Sequence, residues 1–514
     1  MRKIVIGYIL LFGFSAYGLE LSEAVDQTIK TNPTIQERLS NFHAVLEDVQ
    51  NAKAAYLPSL DLKAGIGQEQ VQSPFTANEM ATYDVQDHAL TLSYNLFNGL
   101  ADKHRISQQE ARLKAAAYSY MENVDDILLQ LIEHYTNILR HKELIVVEKD
   151  NIKMDEKIYD NMLVKQKQGL QRLSDLKEAR SKLALAYTNH LSEENNVQDV
   201  LINFHKVFGR YVRLRDITVP QFHEQLPNTI EEITKLAILN NPSIKVAKYE
   251  KMASMNDYKA TIAPYLPKID LELSGAYSEN LSGIAGSNTD IRGMVYLNYN
   301  LFNGVADKSY RQKKVSTLHQ KNDEVEKVKR DVIEAIQLSW SAFRITSRQM
   351  VFTKWYVQSS KDKLNSYYRE FNLGRRSLID LLGASDDFNN ARRKKINTKY
   401  DLMFARYRLL DAMGELADAL GVDVRSRVGL RFDKKVVATV KDTMPLVEDR
   451  DGDSIEDVKD MCSNSENNNS DLSHYGCEDT IRSNNSGFKA LESFLNESIK
   501  DFVKETDEIE GWED

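Results

Sequence analysis

Tyr94-Asn95-Leu96-Phe97-Asn98-Gly99 decides the fold, because the same six residues return as Tyr299-Asn300-Leu301-Phe302-Asn303-Gly304, each copy followed by a hydrophobe and then Ala-Asp-Lys. Outward from each copy the landmarks repeat in one order. An Asn-Pro (Asn32-Pro33, Asn241-Pro242) precedes a Tyr-Leu-Pro (Tyr56 to Pro58, Tyr265 to Pro267), then come two alternating segments and a very long polar helical stretch. The first two landmarks are offset by 209 residues and the third by 205, so the halves are collinear apart from a few residues in one loop. A unit of this length is a duplicated domain, not a solenoid repeat.

The segments beside the repeat alternate with period two. Leu60, Leu62, Ala64 and Ile66 interleave with Asp61, Lys63, Gly65 and Gly67, and Leu90, Leu92, Tyr94 and Leu96 with Ala89, Thr91, Ser93 and Asn95. Ile269, Leu271 and Leu273, then Val295, Leu297, Tyr299 and Leu301, repeat the pattern. This predicts four strands of about 10 residues in two hairpins, 60–96 and 268–301, joined by polar loops near 73–84 and 280–290. A half-buried sheet packed on helices in a soluble protein gives the same alternation. The N-terminus argues otherwise: Arg2-Lys3, an apolar run Ile4 to Phe14 and Ala16-Tyr17-Gly18 predict a cleaved signal peptide over 1–18, too short to span a bilayer. No cysteine follows the cleavage site, which argues against a lipid-anchored mature N-terminus. Alternating strands ending in aromatics (Tyr94, Phe97, Tyr299, Phe302) in an exported chain are the pattern of an outer-membrane barrel. Four strands cannot close, and an open edge in lipid leaves backbone groups unpaired at several kcal/mol each, so closure demands more chains.

Helical periodicity fills the rest. Residues 19–55 predict two helices broken at Asn32-Pro33. The stretch 100–168 has neither proline nor glycine, and as one helix at ~1.5 Å per residue it reaches about 100 Å. Gly169 interrupts it and a return helix runs 174–208, completing a first repeat over 19–209. A linker (210–228) leads to a second repeat over 229–421, with a long helix 305–373, a break at Gly374 and a return helix 377–420. Charged outer faces on such lengths imply antiparallel coiled-coil helices. A cytoskeletal rod shares the periodicity but not the strand pair at the head of each helix.

The formal charge of −9 sits in the tail. Residues 442–514 carry 21 acidic and 6 basic side chains, which leaves the first 441 at about +6. Within this extension (422–514), residues 449–460 place Asp449, Asp451, Asp453, Asp457 and Asp460 around a glycine, hard oxygen ligands at a spacing suited to Ca2+. The segment resembles a thrombospondin type-3 calcium repeat, and a disordered acidic linker is the other reading. Cys462 and Cys477, the two cysteines of the chain, are expected to pair in an oxidising export compartment. A last amphipathic helix carries Phe488, Leu491, Phe494, Leu495, Ile499 and Phe502 on one face. No zinc-type His/Glu spacing, phosphate-binding glycine loop or nucleophile elbow occurs, so the sequence supports no enzyme activity and requires no cofactor, Ca2+ in the tail aside. The basic run Arg392-Arg393-Lys394-Lys395 reads as a solvated helix face, not a nucleic-acid contact.

The doubled order of Asn-Pro, Tyr-Leu-Pro, hairpin, Phe-Asn-Gly and long helix over residues 19–421 resembles the TolC family of outer-membrane efflux and secretion ducts. The resemblance implies an α+β membrane protein working as a homotrimer, its twelve strands forming one transmembrane β-barrel in outer-membrane lipid and its helices a periplasmic α-barrel. It implies two partners, a periplasmic adaptor docking at the helical tips around Gly169 and Gly374 and an inner-membrane ABC or proton-driven transporter. It implies a closable entrance in which Arg376 bonds Ser174 and Asp175 of a neighbouring chain and Asp380 forms a carboxylate ring. Phe371 stands where the family has a locking tyrosine and Gly383 where a second aspartate ring lies, so a looser, less cation-selective gate is expected. Asp175 also suits a helix N-cap. Type I protein secretion is the expected use, from the Phe-Asn-Gly endings and the missing lipid-anchor cysteine. Multidrug efflux is the alternative, and a non-conducting periplasmic scaffold or adhesin is the reading of another class.

Overall fold

The computed structural model describes residues 18–222, 226–227 and 229–429. The leader before Gly18, the aspartates 449–460, Cys462, Cys477 and the terminal amphipathic helix lie outside the described residues.

Each repeat opens with two helices joined at its Asn-Pro: α1 (Leu21–Thr31) and α2 (Pro33–Lys53). Proline suits the first helical position because its missing N–H has no partner there anyway. Two strands follow, β1 (Ser59–Gln72) and β2 (Met80–Asn98), then the long helix α3 (Ala101–Lys167) and its return α4 (Leu173–Phe208). The second repeat runs α5 (Ile230–Asn240), α6 (Pro242–Ala260), β3 (Lys268–Glu279), β4 (Ser287–Asn298), α7 (Ala306–Asn372) and α8 (Leu378–Met413). Both long helices have 67 residues, about 100 Å at 1.5 Å per residue.

The strands form one antiparallel sheet in the order β1-β2-β3-β4, so β2 and β3 join the repeats. They run to 12–19 residues, longer than the ten expected, because the turns occupy only residues 73–79 and 280–286. Register carries the alternation across the sheet: Leu60 faces Leu92 and Leu92 faces Leu273, while Leu62, Leu90, Gly275 and Ile291 make the next row. Among the described residues nothing covers this apolar face, with Leu62, Ile66 and Ile291 respectively 76%, 82% and 84% exposed. Polar groups share the other face, where Lys63 pairs with Asp87 at 2.5 Å and Asn95 donates to Asp270 at 3.0 Å.

Three sequence expectations need correction. The second hairpin ends at Asn298 and not at 301, so Tyr299 and Leu301 are not in a strand. Its first-repeat counterpart continues as strand through Asn98, past a one-residue register shift between Asn95 and Phe97, because β3 lies beside it and pairs Phe97 with Ile269. The return helix of the second repeat stops at Met413, where Gly414 takes φ +71°, and Leu416–Ala419 (α9) and Val424–Val428 (α10) are separate short helices. The basic run is not simply solvated: Arg392 reaches Asp150 at 2.8 Å and Arg393 pairs with Glu148, both on α3.

The long helices pack side by side, α4 on α3, α3 on α8 and α8 on α7. Their central core gathers Phe42, Leu128, Leu131, Tyr135, Phe204, Phe208, Tyr400 and Tyr407. A smaller cluster repeats part of it in the second half, where Ile336, Leu409 and Met413 stand for Leu131, Phe204 and Phe208. Among the described residues no helix is long and apolar enough to cross a membrane.

Candidate functional site

The two helix-to-helix tips, far from the sheet, bring together most of the residues expected to act. Gly169 and Gly374 lie just past the ends of α3 and α7, with φ of +73° and +72°. In both turns the glycine N–H returns to a carbonyl three residues back and the next N–H to one five back. Gly169 bonds Gln166 and Leu170 bonds Lys165; Gly374 bonds Phe371 and Arg375 bonds Glu370. This termination needs a residue tolerant of the left-handed region, hence glycine in both copies.

The tips differ in how the return helix starts. Ser377 caps α8: its Oγ accepts the Asp380 N–H at 3.2 Å and donates to the Asp380 carboxylate at 2.7 Å, while its own N–H reaches that carboxylate at 3.4 Å. The Ser377 hydroxyl, then the Ser377 N–H and the nearby Arg376 charge, hold the Asp380 carboxyl below the usual range. Asp380 is therefore an anion at a helix start, close to Arg376. In the first tip Arg172 occupies the capping position without a side-chain bond, so Asp175 is not the N-cap. It is the third residue of α4, where the helix dipole favours its charge, and Ser174 Oγ contacts it at 3.5 Å.

Arg376 folds back on its own helix pair. Its Nη2 and Nε lie 2.8 and 3.0 Å from Glu370 Oε2, and its guanidinium sits 4.1 Å from the Tyr367 ring centroid. Glu370 and Tyr367 were not singled out from sequence. The available signal was their place on the last turns before Gly374, on the side from which the chain returns. Phe371 points the other way, buried in a tip core with Ile158, Met162, Leu364 and Leu381, and Lys165 Nζ lies 4.4 Å from its ring centroid. An added Cβ at Gly383 meets nothing within 4 Å.

The comparisons with known proteins fit this duplicated build. The family model described as "Outer membrane efflux protein" matches residues 24–210 and 233–415, one match to each repeat. The chain belongs to the outer membrane efflux protein family. Members of this family are outer-membrane channels that extend into the periplasm, not enzymes. The outer membrane protein TolC of Escherichia coli is 20% identical over 435 residues, covering 81% of this chain and 86% of TolC. The proteases secretion protein PrtF of Dickeya chrysanthemi is 20% identical over 434 residues, covering 81% of this chain and 93% of PrtF. The crystal structure of the Campylobacter jejuni CmeC outer membrane channel shares the fold with a TM-score of 0.68 at 16% identity, covering 79% of this chain and 89% of CmeC.

Proposed function

We propose that three copies of this chain close into one export duct, a twelve-stranded barrel in the outer membrane continued by a helical tube, and that it serves type I protein secretion. The observation that carries the assembly is the β2–β3 pairing between repeats. The matching strands β4 and β1 are the outer edges of the sheet, and the same pairing made between chains would join them and leave no edge in lipid. The helices offer the same arrangement. The flanking helices α4 and α7 expose Leu185, Leu191 and Ile202, and Leu338, Phe352 and Trp355, which a neighbouring copy would cover.

Glycine contacts favour the same closure. Gly99, φ +56°, lies so close to the second repeat that an added Cβ would stand 2.6 Å from the Ala263 carbonyl oxygen. Gly304 has the same backbone, φ +61°, with open space around it. By the repeat offset its partner is Ala54, supplied by another copy.

The duct itself is passive. An inner-membrane ABC transporter supplies the energy, and a periplasmic adaptor docks at the tips around Gly169 and Gly374 and draws Arg376 and Asp380 apart from their neighbours. The cargo assignment rests on the Phe-Asn-Gly endings and the relative named for protease secretion. Planar-bilayer recording of the purified protein tests the duct: a small conductance blocked by trivalent cations from the periplasmic side is expected from a ring of three Asp380 carboxylates. No conductance would return the chain to a scaffold role. Expression in a host lacking its own duct tests the cargo. Restored export of an ABC-dependent protein supports secretion; restored dye resistance without it would move the assignment to efflux.

A further inference from the structure

Where the two repeats meet, a cavity of about 510 Å3 is walled by Glu122, Asp125 and Asp126 of α3, Asp331 of α7, and Arg408 and Asp411 of α8. Five carboxyl groups therefore face one guanidinium. Asp125 is 7% exposed, and its Oδ1 accepts the Ala417 N–H at 3.0 Å, fastening α9 of the second repeat to the long helix of the first. Asp411 stands in the last turn of α8, where unpaired carbonyls already make the potential negative. The surrounding elements do not correct the imbalance. Arg38 of α2 acts on Glu122, whose carboxylate also accepts the Ser243 hydroxyl at 2.5 Å. On the far side of Asp125, Lys245 of α6 and Arg425 of α10 share a second small cleft with Asp418.

We propose that Asp125 and Asp411 hold protons in the folded protein, making the junction of the repeats a pH-sensitive fastener that tightens in acid and slackens in alkali. Charging both would set like charges against each other and against Asp126, Glu122 and Asp331, with Arg408 as the cation among the side chains that wall the cavity. Burial, then the Asp411 charge, pushes Asp125 up to about 8; burial, then Asp126, pushes Asp411 up to about 7. Burial raises Asp126 and Glu122 as well. In the unfolded chain an aspartate titrates near 4. Between that value and about 8 the folded state binds protons that the unfolded state has lost, so stability falls as pH rises and levels above about 8.

The test is thermal melting of the full-length protein in detergent from pH 5 to 9, for the wild type, Asp125→Asn, Asp411→Asn and the double variant. Asparagine keeps the oxygen that accepts from Ala417 and cannot ionise. The double variant is expected to gain on the wild type in Tm as pH rises, with the gap levelling above about 8. Amide exchange at Ala417, corrected for its intrinsic pH dependence, is expected to lose protection with pH in the wild type and not in the variant. A Tm gap that does not change with pH overturns the proposal, because a purely structural role lowers stability equally at all pH. If Asp125→Asn does not fold, Asp411→Asn alone decides, its gap levelling above about 7 or staying constant.

Discussion

Asn241 donates its Nδ2 hydrogen to the Ala412 carbonyl at 3.2 Å, and Asn32 makes the equivalent bond to the Val207 carbonyl at 3.0 Å. Both asparagines are buried. The oxygen of each caps its own helix, Asn32 accepting from the Thr34 and Ile35 N–H groups and Asn241 from that of Ser243. The duplicated Asn-Pro is thus a clamp: proline starts the helix while asparagine ties that start to the last turn of the return helix.

Replacing Asn241 with Ala removes a cap and leaves the buried Ala412 carbonyl unpaired, a loss of roughly 2–3 kcal/mol. Asn241→Asp retains the cap but places a charge against a carbonyl, so it is also destabilising above the carboxylate range. Thermal or denaturant unfolding checks both. An Ala variant as stable as the wild type would show that the clamp contributes nothing.

Gly414 belongs to the same joint, since an added Cβ would lie 2.7 Å from Asn241 Cα and 2.9 Å from Pro242 Cδ. Gly414→Ala is expected to unseat the clamp and lower Tm further than Gly374→Ala. The latter meets open space and bears only the left-handed strain of roughly 1–2 kcal/mol. Equal melting temperatures for the two variants would contradict the close approach.

At the second tip, Arg376→Ser is expected to raise single-channel conductance, by removing the cation that the proposed gate places between neighbouring tips. Glu370→Gln weakens the hold that Glu370 and Tyr367 exert on Arg376, and should lower the conductance by freeing the guanidinium for the neighbouring chain. Unchanged conductance in Arg376→Ser would remove it from the lock.

Asp155 gives a second, local pH effect. It is buried on α3, and burial, then the charge of Asp386, pushes it up to about 6, with Lys182 acting in the opposite sense. Because a raised carboxyl contributes its stability in the protonated form, that contribution is complete below the unfolded value near 4 and is lost as pH rises through about 6. Asp155→Asn should therefore raise Tm relative to the wild type at pH 7.5 and change it little at pH 4.5. A gap that is the same at both pH values would contradict the assignment.

How much of this was legible in the sequence follows from where each interaction partner lies. The duplication shows in Tyr94 to Gly99 and its copy, and the helix lengths in the absence of glycine and proline until Gly169 and Gly374. The end of β4 was not legible, because Phe302 would need a strand beside it that β3 supplies to Phe97. Nor was the Arg376–Glu370 pair, which forms only because the glycine turn sends Arg376 back toward α7. The Asp125–Ala417 bond joins residues 292 apart, and no local pattern marks it.

Inter-chain cross-linking tests the three-copy duct most directly. Ser93 faces Glu272 across the repeat boundary, so the offsets place Asn298, the last residue of β4, opposite Lys63 of a neighbouring copy. Directly opposed strand residues have Cα atoms about 4.5–5.5 Å apart, within disulfide reach. Under oxidation the Lys63→Cys, Asn298→Cys double variant should run as a closed trimer on denaturing gels and return to monomer on reduction, while each single variant stays monomeric. A double variant that remains monomeric in a folded, membrane-inserted protein would contradict the closure of β4 on β1 and the duct with it.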